Sequence, residues 1–376
     1  MKEIIKSMFK GIICCVLILG IFSFETIAHS SEKIQVTFIN PDEVGNPFWD
    51  LVTNFMQAAA NDLGIQLNVL YVNKNRYRAT DLVKESLNSS NKPDYLIYIF
   101  QRGQGGKILS TAEKMNVRSF IFNTDIPENE RSSVNGPREK FSYWIGHMFP
   151  DDVKAGHDLA VTLIEEARAN AKHGKDGKIH LVGVSGSRDS TAALDRNNGL
   201  EKAVKSFKDV KLDQIVYANW DGQFAARQTI GLLNRYAGIS VFWTASDGLA
   251  LGVIEGLNKS VKIVGRDVFT GGIDWTEAGI NAVRDGKLVA SLGGHFMEGA
   301  WVLVLINDYH HGIDFISFGK TIRSRMQVIS KRNVQSYLRQ LGDKNWEDID
   351  FRRFSKVYNP KLKTYDFSLK AILGTN

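Results

Sequence analysis

Apolar and polar positions along the chain alternate between two kinds of segment. Short unbroken apolar runs, rich in β-branched and aromatic residues, are followed by longer stretches with apolar residues every three to four positions. The first such pair is Ile34–Asn40 (IQVTFIN), a strand, and Phe48–Leu63, a helix that Gly64 stops. Leu67–Val72, Tyr95–Phe100 (YLIYIF) and Ser119–Phe122 continue as strands, with Ala79–Leu87 and Lys107–Met115 as helices between them. Strands without polar alternation belong in parallel sheets covered by helices on both faces.

The rhythm restarts after a short extended link, Tyr143–His147. Val153–Ala171, Thr191–Phe207, Phe224–Tyr236 and Gly248–Leu257 have helical periodicity. They alternate with strands Ile179–Val184, Gln214–Tyr217, Ser240–Trp243 and Lys262–Gly265. Helix Trp275–Arg284, strand Leu288–Leu292, helix Met297–Tyr309 and strand Thr321–Val328 come last. Two successive sets of this kind predict two doubly wound, Rossmann-like α/β lobes. Residues 336–376 carry charge and aromatics without a period and are expected to form an ordered surface extension.

Composition changes the picture at the amino terminus. Lys2, Lys6 and Lys10 precede the apolar run Gly11–Phe24, and Ala28 and Ser30 occupy the usual minus-three and minus-one places of a cleavage site. At fourteen residues the run is short of the ~20 that a membrane-spanning helix needs. Residues 1–30 are therefore expected to be a cleaved secretory signal, giving an exported protein. Both cysteines, Cys14 and Cys15, fall inside it, which excludes disulfides, thiol nucleophiles and cysteine metal sites from the processed chain. Removing its three lysines and two glutamates leaves 44 basic against 39 acidic residues, dispersed and without a nucleic-acid arm.

Several segment ends carry specific strings. GNPFWDLVTNFMQAAANDLGI follows the first strand, and GVSGSRDSTAALDRNNGLEKAV follows Ile179–Val184. SDGLALGVIEGL, VGRDVFTGG and DGKLVASL come later, in that order. Together they resemble periplasmic solute-binding proteins of the type I sugar-binding group, the ribose- and galactose-binding kind, over residues 33 to 330. DYLIYIF with FIFNTDIP is also similar to the autoinducer-2 receptor branch.

The resemblance implies lobes joined by a three-segment hinge, with a ligand gripped between them and no cofactor or metal. The expected partition is 31–146 with 296–320, 147–295 with 321–335, and the extension 336–376. A cleft there agrees with the rule that open α/β sheets bind ligands beyond the carboxyl ends of their strands.

The residues matched by the resemblance each have a plainer alternative. Asn46 is a cleft residue or the cap of its helix, and Phe48 and Trp49 are stacking surfaces for a sugar ring or a hydrophobic staple. Asn123 stands where sugar binders often have aspartate, and is otherwise a turn residue. Arg196, in RNNGL, matches a cleft arginine able to hold adjacent hydroxyls. Trp220 is an aromatic platform or core, and Ser246 and Asp247 take the place of an Asn-Asp pair or cap a helix. Asp267 is expected to accept two hydroxyls, with Arg266 as an ion-pair partner. His295 stands at a crossover, where a structural role is the alternative. Gly183–Ser187 (GVSGS) lacks the second glycine of a nucleophile elbow.

These residues point to a monomeric receptor that binds a small sugar-like solute and presents its closed form to a membrane partner. That partner is an ABC-type permease or, alternatively, a sensor such as a histidine kinase or chemoreceptor. A secreted hydrolase would need a nucleophile, base and oxyanion donor that the sequence does not display. A repressor of this lobe fold would need a helix-turn-helix head.

Overall fold

The structure, a computed structural model, describes residues 33–373. The expected signal and its cleavage near Ser30 lie outside the described residues. The first run of elements is β1 (Gln35–Asn40), α1 (Pro47–Leu63), β2 (Gln66–Tyr71), α2 (Arg76–Leu87), β3 (Tyr95–Tyr98), α3 (Gly105–Lys114), β4 (Arg118–Phe122), α4 (Glu128–Val134) and β5 (Trp144–Pro150). The second is α5 (Asp152–Ala169), β6 (Ile179–Ser185), α6 (Thr191–Lys205), β7 (Val210–Tyr217), α7 (Gly222–Arg235), β8 (Ile239–Thr244), α8 (Asp247–Leu257), β9 (Phe269–Ile273), α9 (Glu277–Arg284) and β10 (Ala290–Gly293). Then come α10 (Glu298–His310), β11 (Thr321–Ser324), β12 (Gln327–Ser330), α11 (Val334–Leu341) and α12 (Leu369–Ile372).

The strands form two six-stranded sheets, ordered β11-β5-β4-β3-β1-β2 and β12-β10-β9-β8-β6-β7. Every neighbouring pair is parallel except β10 with β12. This is the doubly wound α/β pair that the alternation predicts. Unbroken apolar strands such as β3 are buried because helices cover both faces. Among the described residues, no helix is long and apolar enough to cross a membrane.

The chain passes between the sheets at Pro150–Asp151, at Gly294–Met297 and at Arg325–Met326. Two of these crossings lie elsewhere than the sequence suggests. Tyr143–His147 is not a link: Trp144–Pro150 is a wholly buried strand held between β4 and β11. Residues 147–150 therefore belong to the first sheet, their polarity hidden because His147 donates from Nε2 to the Thr124 carbonyl at 2.8 Å. Nor is Thr321–Val328 one strand. Thr321–Ser324 pairs with β5 of the first sheet, and only Gln327–Ser330 pairs with β10 of the second.

A third difference matters more for the site. Lys262–Gly265 is a turn, closed by the Gly265 N–H donating to the Val268 carbonyl at 2.8 Å, with Gly265 at φ 78°. The strand is the next segment, FTGGI, whose two glycines weaken the pattern. Glycine is required there: a Cβ on Gly272 would lie 2.3 Å from Oδ1 of Asp247 and 2.8 Å from its Cα.

Close approach also governs α5 and α6. A Cβ on Gly156 would lie 2.0 Å from the Arg196 carbonyl oxygen, and one on Gly199 2.0 Å from that of Val153. The two backbones thus touch, and this brings Arg196 of α6 against Asp152 at the start of α5. Gly199→Ala should push the helices apart and destabilise the protein by about 1–3 kcal/mol, the usual cost of overpacking. Urea denaturation measures this, and unchanged stability would contradict the backbone contact.

Candidate ligand cleft

Each sheet's carboxyl-terminal strand ends look toward the other lobe, and side chains meet there. The Thr191 hydroxyl at the start of α6 donates to the Asp125 carbonyl beyond β4 at 3.0 Å. Arg76 at the start of α2 pairs with Asp189 before α6. Phe48 of α1 stacks on His295 of the second crossing, centroids 4.7 Å apart. These contacts describe lobes closed on one another.

Arg196 is the centre of the arrangement and is only 4% exposed. Its Nε donates to Oδ1 of Asp152 at 2.7 Å, and one Nη donates to the Ala245 carbonyl at 2.7 Å. The same nitrogen lies 3.6 Å from Oδ1 of Asp274, and the other lies 3.4 Å from Nε2 of His295. The guanidinium also stands 5.9 Å from the Trp220 ring centroid. Four of the residues singled out from sequence, Phe48, Arg196, Trp220 and His295, are therefore joined by direct contacts.

Burial and the nearby guanidinium drive the His295 imidazole down to about 3, so it is neutral. Its Nδ1 has no hydrogen-bond partner within the protein. The same holds for three other buried atoms at the facing ends: Nδ2 of Asn123, Oγ of Ser185 and Oε2 of Glu298. Asn123 sits at φ 66°, a conformation asparagine accepts more readily than most residues. Glu298 takes a hydrogen bond from the Ser324 hydroxyl, and burial raises its carboxyl well above the usual range. A buried polar atom left unpaired costs roughly 1–3 kcal/mol, so a set of them marks a surface shaped for outside partners.

Asn46 is fully used as a helix cap. Its side chain accepts from the amides of Phe48 and Trp49, both at 3.1 Å, and donates to Asp42. Trp49 turns its edge to Phe122 and packs toward Phe38, which makes it a wall behind Phe48. Trp220, at φ 63° and 37% exposed, lies over Gly186 and offers an aromatic surface. The Ser246 hydroxyl caps α8 by accepting from the Leu249 amide.

Asp247 is wholly buried and faces inward. It accepts from the Ser291 hydroxyl at 2.7 Å and from the amide and hydroxyl of Thr276 at 2.9 and 3.1 Å. Its role is to clasp the turn after β9. Burial and the neighbouring Asp274 carboxylate push its carboxyl up to about 7.

Asp267 is not a cleft residue. It precedes β9 instead of following it, so it lies at the wrong end of the strand. It pairs with Arg266 at 2.8 Å and accepts from the Ile263 amide, and the arginine lowers its carboxyl to about 2. The residue after the true strand is Asp274, within GGID, where apolar Ile273 stands between glycine and aspartate in place of the Arg266 of the string matched from sequence. Asp274 has φ 135° and Trp275 φ 60°, a strained pair of the kind that persists where surrounding contacts fix it. Burial raises the Asp274 carboxyl to about 7 despite Arg196. Asp152 gave no separate sequence signal, because PDDV reads as an ordinary helix start. Among the described residues no group of three or more histidines, cysteines or carboxylates is placed to hold a metal.

Comparison with known proteins agrees with this geometry. A family model described as periplasmic binding protein domain matches residues 36–309. The ribose import binding protein of Escherichia coli is 25% identical over 250 residues, 66% of this chain and 75% of that protein. That of Haemophilus influenzae is 26% identical over 149 residues, 39% of this chain, so the chain spans about half (46%) of that relative's length. The crystal structure of a periplasmic sugar-binding protein from Pseudomonas fluorescens superposes with a TM-score of 0.81 at 30% identity, covering 90% of this chain and 99% of that one. Matched over far more than half its length, the chain belongs to the periplasmic binding protein family, in its type I sugar-binding group.

Proposed function

We propose that this protein captures a small, uncharged, sugar-like solute between its lobes and delivers it to an ABC-type permease, as a monomer outside the cytoplasmic membrane. The observation that carries the reading is Arg196 held among Asp152, Asp274 and His295, beside aromatic surfaces from Phe48 and Trp220. Arginine and carboxylate hold neighbouring hydroxyls in pairs, and an aromatic face covers the apolar side of a sugar ring. The charge of Arg196 is already met by two carboxylates, which favours a neutral ligand over an anionic one. Asn123, Ser185 and His295 supply further unpaired polar atoms. The partner follows from the import proteins among the relatives.

Thermal shift against a panel of pentoses and hexoses, furanose forms included, should find a stabilising ligand. Losing a charged hydrogen bond costs ~1.5–3 kcal/mol, so Arg196→Ala and Asp274→Asn should each weaken that ligand by roughly 10- to 150-fold. Calorimetry checks this, and undiminished affinity in both variants sinks the site. Asp267→Ala, by contrast, should bind as the unaltered protein does; a matching loss there would restore Asp267 to the cleft.

Both Asp247 and Asp274 have folded-state carboxyls raised to about 7 from an ordinary 3.8. A raised acid contributes stability that is fully present below the unfolded value, about pH 4, and is lost as pH climbs to about 7. The Asp274 carboxylate adds to the upward shift of Asp247. The melting temperature of Asp274→Asn, taken relative to the unaltered protein, should therefore rise between pH 4 and 7. A difference that stays flat across that window would mean Asp274 ionises as an ordinary carboxylate.

A further inference from the structure

The segment after β12 is not a surface appendage. Residues 334–344 rest on the second lobe. Tyr337 packs on Trp275 with centroids 5.2 Å apart, and Nζ of Lys344 lies 2.6 Å from Oε2 of Glu277 in α9. From Trp346 onward the chain rests on the first lobe. Trp346 packs on Phe55 of α1 at 5.2 Å, and the amides of Phe351 and Arg352 donate to Asp62 at the end of α1. Farther on, the buried Asp308 of α10 accepts from the Lys356 amide at 2.7 Å and the Tyr365 hydroxyl at 2.8 Å.

We infer that residues 334–354 form a fourth crossing between the lobes, a strap that limits how far they open and ties the Asp274–Trp275 turn of the cleft to the first lobe. One residue, Asn345, separates the last second-lobe anchor from the first anchor on the other side. A chain reaches at most ~3.3–3.6 Å per residue, so Lys344 and Trp346 can separate by no more than about 7 Å while both stay docked. The turn is already closed by the Trp346 amide donating to the Lys344 carbonyl at 2.9 Å. Trp346 also packs on Phe296 of the second crossing at 5.7 Å, which sets the strap beside the hinge. A single apolar cluster runs from α1 and α10 through Trp346 and Phe351 to Trp275 and α9. Tyr337 thus acts as a positioning residue: it presses on the indole next to Asp274, whose backbone is strained.

The inference rests on the hinge-closing function proposed above, and the test separates the two. Spin labels at Lys84→Cys on α2 and Lys202→Cys on α6, both exposed, report the lobe separation in ligand-free protein. The native cysteines, Cys14 and Cys15, fall in the expected signal and are replaced by serine in every sample, so that only the introduced cysteines are labelled. Six glycine and serine residues inserted between Lys344 and Asn345 should shift the distance distribution to longer values and broaden it. A second variant carries a protease site at the same point; cutting after folding leaves both halves docked and should produce the same shift within one sample. Tyr337→Ala should broaden the distribution less than either. An unchanged distribution after both insertion and cutting, in a protein that otherwise opens, overturns the strap and leaves the hinge intact. A single fixed distance in every form, including the unaltered protein across the sugar panel, overturns both.

Discussion

Arg196 is a buried cation, and the rest of the cleft follows from the need to satisfy it. A guanidinium taken out of water is costly unless carboxylates and carbonyls surround it with good geometry. Here Asp152 comes from the first turn of α5, the Ala245 carbonyl from the end of β8, Asp274 from the end of β9 and His295 from the second crossing. One side chain thus joins a helix start, two strand ends and the hinge. The contact of Gly156 and Gly199 across α5 and α6 is what lets Arg196 reach Asp152. The same demand holds Asp274 in a backbone conformation it would not adopt alone, with Asp247 clasping the turn from behind.

This cluster is supported from two sides. Phe48 arrives from the first lobe to stack on His295, while Tyr337 of the carboxy-terminal segment supports Trp275 next to Asp274. The cluster is thus held by contacts from both lobes. The carboxy-terminal segment adds to them because its aromatic side chains share one core with α1, α10 and α9.

Much of the fold was legible in the sequence because unbroken apolar strands and periodic helices have strong local patterns. The strands β1, β3, β4, β6 and β8 are of that kind. The failures are local in cause. Trp144–Pro150 carries a glycine and a histidine that packing hides, and FTGGI carries two glycines, Gly272 demanded by the start of α8 and Gly271 by the Ala290 carbonyl of the neighbouring strand. Missing FTGGI put the marked aspartate at Asp267, whereas the one that faces Arg196 is Asp274. Arg196, Trp220, Phe48 and His295, marked by their matched positions, come together in one set of contacts. Asn46, Ser246 and Asp247 were also marked, but their side chains are taken up by caps and a clasp.

The sequence by itself determined the two sets of alternating elements and the family resemblance, and it marked the arginine on which the buried cluster is centred. These depend on short-range periodicity and on strings of adjacent residues. Tertiary structure alone decided which aspartates face that arginine, where the chain crosses between lobes and what the last forty residues do. Each of those outcomes depends on contacts between residues far apart in the chain. A carboxylate capping its own loop and one pairing with a distant guanidinium look alike in sequence, and only the packing of strands and helices distinguishes them.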